Sequence, residues 1–248
     1  MTAGEILLSN GAETNRVEDT MRRMLLSCGY HNSEAFVVST GLFVSVTAEA
    51  GEVSSVKRIS RRSYNVDSLI KINDISRAFA EGRITAEASL TQMEELRTAQ
   101  SSYSYPFIKL FGAGIACGCF AHLFGGSLAD SLNAFFTGFI LQILLFQLQK
   151  SRVPDVIRYI LGGVMISFIT LTLMNLGLGH SLDFAVIGAL MLMVPGLTMT
   201  NAIRDVLEGD YLSGSARLLE AVTAAVCLAA GVGTTINLWF HLFGGVFI

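Results

Sequence analysis

Five stretches of the chain contain no charged side chain, and they constrain the fold more than any other feature of the sequence. They cover residues 110–129, 131–149, 159–182, 184–203 and 221–248. Each reaches or approaches the roughly 20 residues that a helix needs to cross about 30 Å of hydrocarbon. The whole chain is 52% hydrophobic and only 15% charged, which is too apolar for an ordinary soluble domain. The sequence therefore predicts a polytopic α-helical membrane protein with five transmembrane helices in residues 107–248.

Residues 1–106 are more polar and predict a separate cytoplasmic domain of the α+β class. Its first predicted helix ends at Gly29 and has Thr14 or Asn15 as a plausible N-cap. The start of the chain lacks the basic, apolar and small-residue regions of a secretory signal, so this segment is expected to stay inside the cell. The predicted elements are helices over 17–28, 66–80 and 85–96, and a strand pair over 35–48 and 53–59 with a turn at Gly51.

The basic residues predict how the chain is oriented in the membrane. All 17 Lys and Arg residues can be assigned to one side if residues 1–106 are cytoplasmic. The two loops on the other side hold Asp130 and Asp183 but no cation, which is a positive-inside pattern. Five crossings then place the C-terminal Ile248 outside. We expect a multi-pass membrane protein with its N-terminus in and its C-terminus out.

Several classes of function and ligand find no support in the sequence. A net charge of −3 without a basic patch interleaved with aromatics gives no support for binding nucleic acid. Cys117 and Cys119 point about 200° apart on a helix and cannot chelate one ion together. The cytoplasmic part has no phosphate loop, metal-ligand spacing or nucleophile elbow, so neither a catalytic residue nor a cofactor is predicted. A basic run could touch anionic membrane lipid, although a solvated face is equally ordinary; it consists of Lys57, Arg58, Arg61 and Arg62.

Small residues recur at four-residue spacing inside the apolar stretches. This spacing lets helix backbones approach closely, so these faces are expected to pack against other helices. The residues are Gly114 and Gly118, Gly163 and Ser167, and Ala225, Ala229 and Gly233. Polar residues such as Asn133 and Asn237 lie in the same stretches, where they serve either as contacts between helices or along a polar path.

The fourth apolar stretch contains Val194-Pro195-Gly196 and is expected to be broken there, because proline removes a hydrogen-bond donor and glycine weakens a helix. If a helix restarts after Gly196, then Thr198, Asn201 and Asp205 share one face. The N-terminus of such a half-helix favours a carboxylate, although a simple kink that only shapes packing is the alternative. The predicted substrate-binding residues are Pro195, Gly196, Thr198, Asn201 and Asp205, and Arg204, Asp210, Arg217 and Glu220 are predicted to supply charge at the cytoplasmic mouth.

Two segments of the chain resemble the signatures of a known transporter family. The first runs Leu8-Ser9-Asn10-Gly11-Ala12-Glu13-Thr14-Asn15-Arg16-Val17-Glu18. The second comprises Val194-Pro195-Gly196, Ala202-Ile203-Arg204-Asp205, Gly209-Asp210 and Ser213-Gly214-Ser215-Ala216-Arg217. In order and spacing these segments resemble the threonine/serine exporter family, and the resemblance covers nearly the whole chain.

The resemblance implies export of a small amino acid across the prokaryotic inner membrane, and the transport would be secondary, since no ATP-binding motif is present. Some family members are pairs in which a larger subunit of this size works with a small membrane subunit, so a second subunit or further copies of the chain are expected partners. Some pairs are linked to succinate, which leaves a dicarboxylate as the alternative substrate. A scaffold subunit that does not transport also stays open. A membrane-embedded enzyme is less favoured, because the histidines near the span ends have no matching carboxylate motif.

Overall fold

The computed structural model of the protein describes residues 1–48, 51–59, 64–98, 106–151 and 153–243. Its helices, in chain order, are α1 (Thr2–Ser9), α2 (Thr14–Ser27), α3 (Val66–Ala80), α4 (Ala86–Thr98), α5 (Pro106–Leu123), α6 (Leu128–Lys150), α7 (Asp155–Asn175), α8 (Leu182–Leu190), α9 (Gly196–Leu207) and α10 (Tyr211–Phe243). Its strands are β1 (Ser33–Val38), β2 (Gly41–Ala48) and β3 (Gly51–Arg58).

The contacts of the chain divide it into two compact units. The first unit consists of Met1–Ser102 together with Leu197–Leu219, and the second consists of Tyr103–Gly196 together with Glu220–Ile248. This division differs from the predicted domains 1–106 and 107–248, because the segment Leu197–Leu219 belongs by its contacts to the first unit. The α9 helix and the start of α10 are therefore described with the N-terminal helices below.

In the first unit, the three strands form an antiparallel sheet in the order β1-β2-β3. The prediction of one strand over 35–48 was wrong, because the chain turns back at Ser39 and Thr40 and pairs Val38 with Gly41. The predicted turn before β3 includes residues 49–50, which lie outside the described residues. The two-residue turn therefore divides the first predicted strand into β1 and β2, and the sheet has three strands instead of two.

The helix starts in the first unit are explained by their caps. The α3 helix has the predicted bounds, because the Asn65 side chain accepts a hydrogen bond from Ser68 N at 3.3 Å. Ala88 N similarly donates to Thr85 Oγ1 at 3.2 Å, so α4 begins one residue later than predicted. The expected N-cap of α2 was wrong. The cap residue is Glu13, whose side chain makes no cap hydrogen bond, and Thr14 is already helical.

The core of the first unit lies between its helices and one face of the sheet. The side chains of α1 and α2 pack here against β2, α3 and α4. The most deeply buried members are Leu7, Leu8, Val17, Val37, Leu42, Ile72 and Met93. On the sheet's rim, Lys57 of the predicted basic run lies 3.4 Å from Glu5, whereas Arg61 and Arg62 are outside the described part of the chain.

Four helices in the described residues are long and apolar enough to cross a membrane, namely α5, α6, α7 and α10. The predicted fourth crossing is not one continuous helix, since α8 ends at Leu190 and α9 begins at Gly196. This confirms the predicted break at Pro195. The nine residues of α8 extend only about 14 Å at 1.5 Å per residue. Five crossings, and the outside position of Ile248 that depends on them, therefore stay predictions.

Glycines of the second unit bring helix backbones into close contact. A Cβ atom added to Gly163 of α7 would lie 2.5 Å from Leu228 O of α10, and one added to Gly231 would lie 2.4 Å from Ile160 O. Gly118 faces Ser131 O of α6 in the same way, at 3.0 Å. These contacts confirm the packing predicted for Gly118 and Gly163.

The packing face predicted on the last helix makes no helix contact among the described residues of this chain, so its packing stays a prediction. Ala225, Ala229 and Gly233 are exposed, and no atom would lie within 4 Å of a Cβ added to Gly233. The buried side of α10 consists instead of Ala221, Ala224, Leu228 and Gly231. These four alternate at spacings of three and four, so the helix packs along a neighbouring stripe that the four-residue pattern did not identify.

Candidate functional site

The first segment that carries the family resemblance lies far along the chain from the second, and it meets the part of the second that follows Gly196 within the first unit. Asp205 of α9 is fully buried, and its Oδ1 accepts hydrogen bonds from Thr14 Oγ1 at 3.0 Å and from Thr14 N at 3.4 Å. Thr14 is the first residue of α2, where backbone N–H groups have no partner inside the helix. Asp205 therefore supplies the hydrogen-bond acceptor that the Glu13 side chain does not.

Arg217 of α10 completes a buried pair of opposite charges with Asp205. Its Nε lies 3.2 Å from Asp205 Oδ2, and its Nη2 donates to Ala12 O at 2.9 Å. The Nε–Oδ2 contact is an ion pair whose direction does not meet hydrogen-bond geometry, so within the described residues both atoms lack a hydrogen-bond partner. We call Thr14, Asp205, Arg217 and the Ala12 carbonyl the Asp205 cluster. Two buried charges in direct contact are costly to separate.

Two carboxyl groups in and beside this cluster, those of Asp205 and Asp210, have shifted pKa values. Burial raises the pKa of Asp205, because a charged carboxylate is costly away from water, and the Arg217 guanidinium only partly opposes this. The pKa of Asp210 is lowered. Burial alone would raise it, but hydrogen bonds from the side chain and N–H of Ser213 outweigh that effect. The two carboxylates therefore differ in how readily they lose a proton.

The remaining polar residues of the α9 face also contact the N-terminal part of the first unit. Asn201 Nδ2 donates to Gly11 O at 3.0 Å, and the hydroxyls of Thr198 and Tyr64 lie 2.8 Å apart. Arg204, also on α9, forms an ion pair with Glu13. The prediction that Thr198, Asn201 and Asp205 share one helix face is confirmed.

Gly11 is the residue on which the approach of the N-terminal segment depends. Its φ of +89° lies in the left-handed region, and a Cβ atom there would sit 2.4 Å from the Tyr64 ring. Two separate reasons therefore require glycine at this position: the left-handed backbone conformation and the lack of space for a Cβ atom. The loop that carries Gly11 O and Ala12 O can therefore reach Asn201 and Arg217.

The structure brings part of the predicted site together. Asp205 and Arg217 are in contact, and Asp210 is the residue that caps α10 through Ser213 N at 3.0 Å. Pro195 and Gly196 belong by contacts to the second unit, as does the exposed Glu220. Arg217 is predicted to supply charge at the cytoplasmic mouth; in the structure the residue is only 3% exposed and it contacts Asp205.

The contribution of the first signature to the site is not evident from the sequence. The sequence predicts Thr14 only as a helix cap, and it gives no sign that the carbonyls of Gly11 and Ala12 accept hydrogen bonds. Tyr64 lies outside both signatures, and no pattern in the sequence pointed to it. The one available signal was the co-occurrence of two signature segments, which suggested a shared role but not a contact.

A second polar cluster lies in the second unit and was also underestimated. Asp130, predicted to lie in an outer loop, is in the first turn of α6 and accepts hydrogen bonds from His180 N at 2.6 Å and Ser181 N at 2.8 Å. Asn133, one turn later, donates to Thr170 O at 3.2 Å and Leu178 O at 2.8 Å. These bonds hold the segment between α7 and α8 against α6. They favour a structural role for Asp130 and Asn133 over a place along a polar path.

The Asp205 cluster places a carboxylate and a guanidinium side by side, with hydroxyl and amide groups around them. Such a pair can hold the two ends of a zwitterion, because each charge attracts the opposite group. Within the described ranges, no group of three His, Cys, Asp or Glu side chains could hold a metal ion.

Comparisons with known proteins agree with the resemblance of the two signatures. A family model described as "Putative threonine/serine exporter" matches residues 1–239. The chain is 24% identical over 242 residues to "Threonine/serine exporter" of Corynebacterium glutamicum, a match that covers 95% of the chain and 49% of that relative. The chain thus spans about half the length of this relative.

Two shorter relatives match along most of their length. Both are named "Probable succinate transporter subunit YjjP", and each is 22% identical to the chain. The match to the protein from Klebsiella aerogenes covers 94% of the chain and 90% of that relative. The match to the protein from Escherichia coli K12 covers 95% of the chain and 91% of that relative. No solved structure matches. Because the family model covers nearly the whole chain, this protein belongs to the threonine/serine exporter family.

Proposed function

We propose that the protein is a subunit of a secondary exporter that moves small amino acids such as threonine and serine out across the prokaryotic inner membrane. Its family and the four long apolar helices among its described residues support a role in membrane transport. The relatives named as transporter subunits match the chain over about their full length, which favours a second component. That component would be a small membrane subunit of the same family or further copies of the chain.

The observation that carries the proposal is the buried pair of Asp205 and Arg217. An amino acid at neutral pH carries one ammonium and one carboxylate group, and this pair offers one partner for each. We place the substrate site on Pro195, Gly196, Thr198, Asn201 and Asp205. Nearby charge would come from Arg204, Asp210, Arg217 and Glu220.

The groups that occupy the Asp205 cluster in this structure support an amino acid rather than a diacid. Thr14 presents an N–H and a β-hydroxyl to one oxygen of Asp205, and free threonine or serine carries an amine and a hydroxyl in the same relationship. The substrate would take the place of Thr14 when the loop from Gly11 to Thr14 moves away. An ammonium group would bind the carboxylate more strongly than the neutral N–H does.

A dicarboxylate such as succinate is the second candidate, favoured by the near-complete match to relatives named as succinate transporter subunits. Arg217 would attract one of its carboxylates, but an ionised Asp205 would repel the other. The two substrates therefore predict opposite effects of neutralising Asp205. Asp205→Asn should weaken threonine export and should maintain or increase succinate export.

Flux measurements in reconstituted vesicles test the proposal. Vesicles would contain this chain alone, a small family subunit alone, or both, and radiolabelled threonine, serine and succinate would be followed separately. We expect threonine and serine flux that requires this chain. If this chain could be omitted without loss of flux, it would be a scaffold and not a transporting subunit. Flux of succinate alone would establish the second candidate.

A further inference from the structure

The outer strand of the sheet in the first unit is open along its whole length. All eight residues of β3 are exposed, and in the described part of the chain no strand pairs with its free side. Such an edge presents unpaired N–H and C=O groups that can hydrogen-bond to another strand. Proteins usually protect a long edge of this kind.

The opposite edge of the same sheet is protected. Glu18 of α2 accepts a hydrogen bond from Val37 N of β1 at 2.7 Å, and Val37 is buried. The α2 helix thus supplies a partner to the backbone of β1. Among the described residues, no side chain forms such a hydrogen bond with the backbone of β3. The β1 edge is therefore partly covered, whereas the β3 edge is open.

Exposed apolar side chains accompany the open edge. Val53 and Val56 of β3 are 60% and 66% exposed. Val56 lies opposite Phe43 in the register, and Phe43 lies opposite Phe36, with the two phenyl rings 5.8 Å apart. Apolar residues on an exposed edge strand favour association with another strand.

We propose that β3 pairs with β3 of a second copy of this chain, in antiparallel orientation, so that two three-stranded sheets become one of six strands. An antiparallel pair of identical strands is related by a two-fold axis, and this axis passes between two copies of the same residue. The register is then defined by which residue of β3 lies on the axis.

Charge complementarity selects Ser55 as that residue. With Ser55 on the axis, Glu52 lies directly opposite Arg58 of the second copy, and the symmetry creates this pair of opposite charges twice. With Ser54 on the axis, Glu52 would instead face Val56, and with Val56 on the axis it would face no residue of β3. Opposite charges in directly opposed positions stabilise a strand pair, and like charges destabilise it.

The proposal does not depend on what the protein transports, because it concerns only the first unit. Its test is cross-linking in native membranes, using the full chain with its four cysteines replaced by alanine. Ser55→Cys should form a covalent dimer with a short thiol cross-linker, since two copies of residue 55 meet at the axis. Glu34→Cys, exposed on β1, is the control and should remain a monomer.

Charge exchange tests the register itself. In the Ser55→Cys background, Glu52→Arg or Arg58→Glu alone places like charges opposite each other and should reduce dimer formation about tenfold. The double variant E52R/R58E restores both pairs and should restore the cross-link. The proposal is overturned if Ser55→Cys reacts fully with a maleimide but never forms the dimer, if it cross-links only to a different protein, or if the double variant behaves like the single ones.

Discussion

Asp205 accepts hydrogen bonds from both the N–H and the hydroxyl of Thr14, a residue 191 positions earlier in the chain. The carboxylate thus caps the N-terminus of α2, where the helix dipole favours negative charge. The same carboxylate contacts the guanidinium of Arg217. One side chain therefore joins three helices of the first unit, α2, α9 and α10.

Removing one member of the buried charge pair should cost more stability than removing both. Arg217→Met leaves the Asp205 carboxylate buried without its counter-charge and should lower the free energy of unfolding by about 3–5 kcal/mol. The double variant D205N/R217M should recover part of that loss, because no buried charge remains. Thermal unfolding in lipid nanodiscs would compare the three proteins, and equal losses would argue against a coupled pair.

The proposed substrate site predicts which variants lose export. Asn201→Ala and Asp205→Asn should each reduce threonine flux about 10- to 150-fold, the effect of losing one charge-assisted hydrogen bond. Pro195→Ala should reduce flux by straightening the helix break. Asn237→Ala, on the exposed side of α10, is the control and should have a smaller effect. Export would be measured at matched membrane abundance, and wild-type flux from the first two variants would place the site elsewhere.

A matched pair of glycine variants isolates the contact between Gly11 and Tyr64. Gly29 has nearly the same φ, +86°, but no atom would lie within 4 Å of its Cβ. Gly29→Ala should therefore cost only the left-handed conformation, about 1–2 kcal/mol. Gly11→Ala should cost a further 1–3 kcal/mol or so, through overlap with the ring. Adding Tyr64→Ala to Gly11→Ala should remove the excess, as measured by unfolding midpoints.

The second unit should depend on Asp130 for the position of the chain after α7. Asp130→Ala leaves the N–H groups of His180 and Ser181 without their acceptor and should destabilise the protein by about 2–4 kcal/mol. Asp183→Ala removes an exposed carboxylate in the first turn of α8 and serves as the control. Denaturant midpoints that did not differ between the two variants would contradict the structural role.

The raised pKa of Asp205 predicts how stability changes with pH. Because burial raises this pKa in the folded state, the folded protein binds the proton more tightly than the unfolded chain does. The contribution of Asp205 to stability should therefore fall as pH rises from the usual aspartate range through the folded-state pKa. The melting temperature of the wild type relative to Asp205→Asn, measured from pH 4 to pH 8, should decrease with increasing pH. If this difference in melting temperature increased with pH instead, the pKa of Asp205 would be lowered in the folded state.

Features set by local sequence were predicted well. The α3 helix has the expected bounds because its cap, Asn65, is adjacent to it. The helix break at Pro195 was also predicted, since proline and glycine act on their own backbone. The uncharged apolar stretches likewise identified the long helices α5, α6, α7 and α10.

Features that depend on distant residues were not predictable in the same way. The first turn of α2 is completed by Asp205, so no local rule could locate its start at Thr14. The packing stripe of α10 is set by Gly163 on a different helix, which is why Gly231 and not Gly233 is buried. The meeting of the two signature segments is a tertiary contact, and one sequence does not reveal which segments touch.

The inclusion of Leu197–Leu219 in the first unit has a consequence for how the protein is made. Synthesis proceeds from the N-terminus, so α1 to α4 emerge from the ribosome well before α9 does. Until residue 217 has been translated, Thr14 and Ala12 lack the partners that they have in the finished protein. The first unit therefore stays incomplete while the helices α5 to α8 are synthesised, and it can close only after Arg217 has been added to the chain.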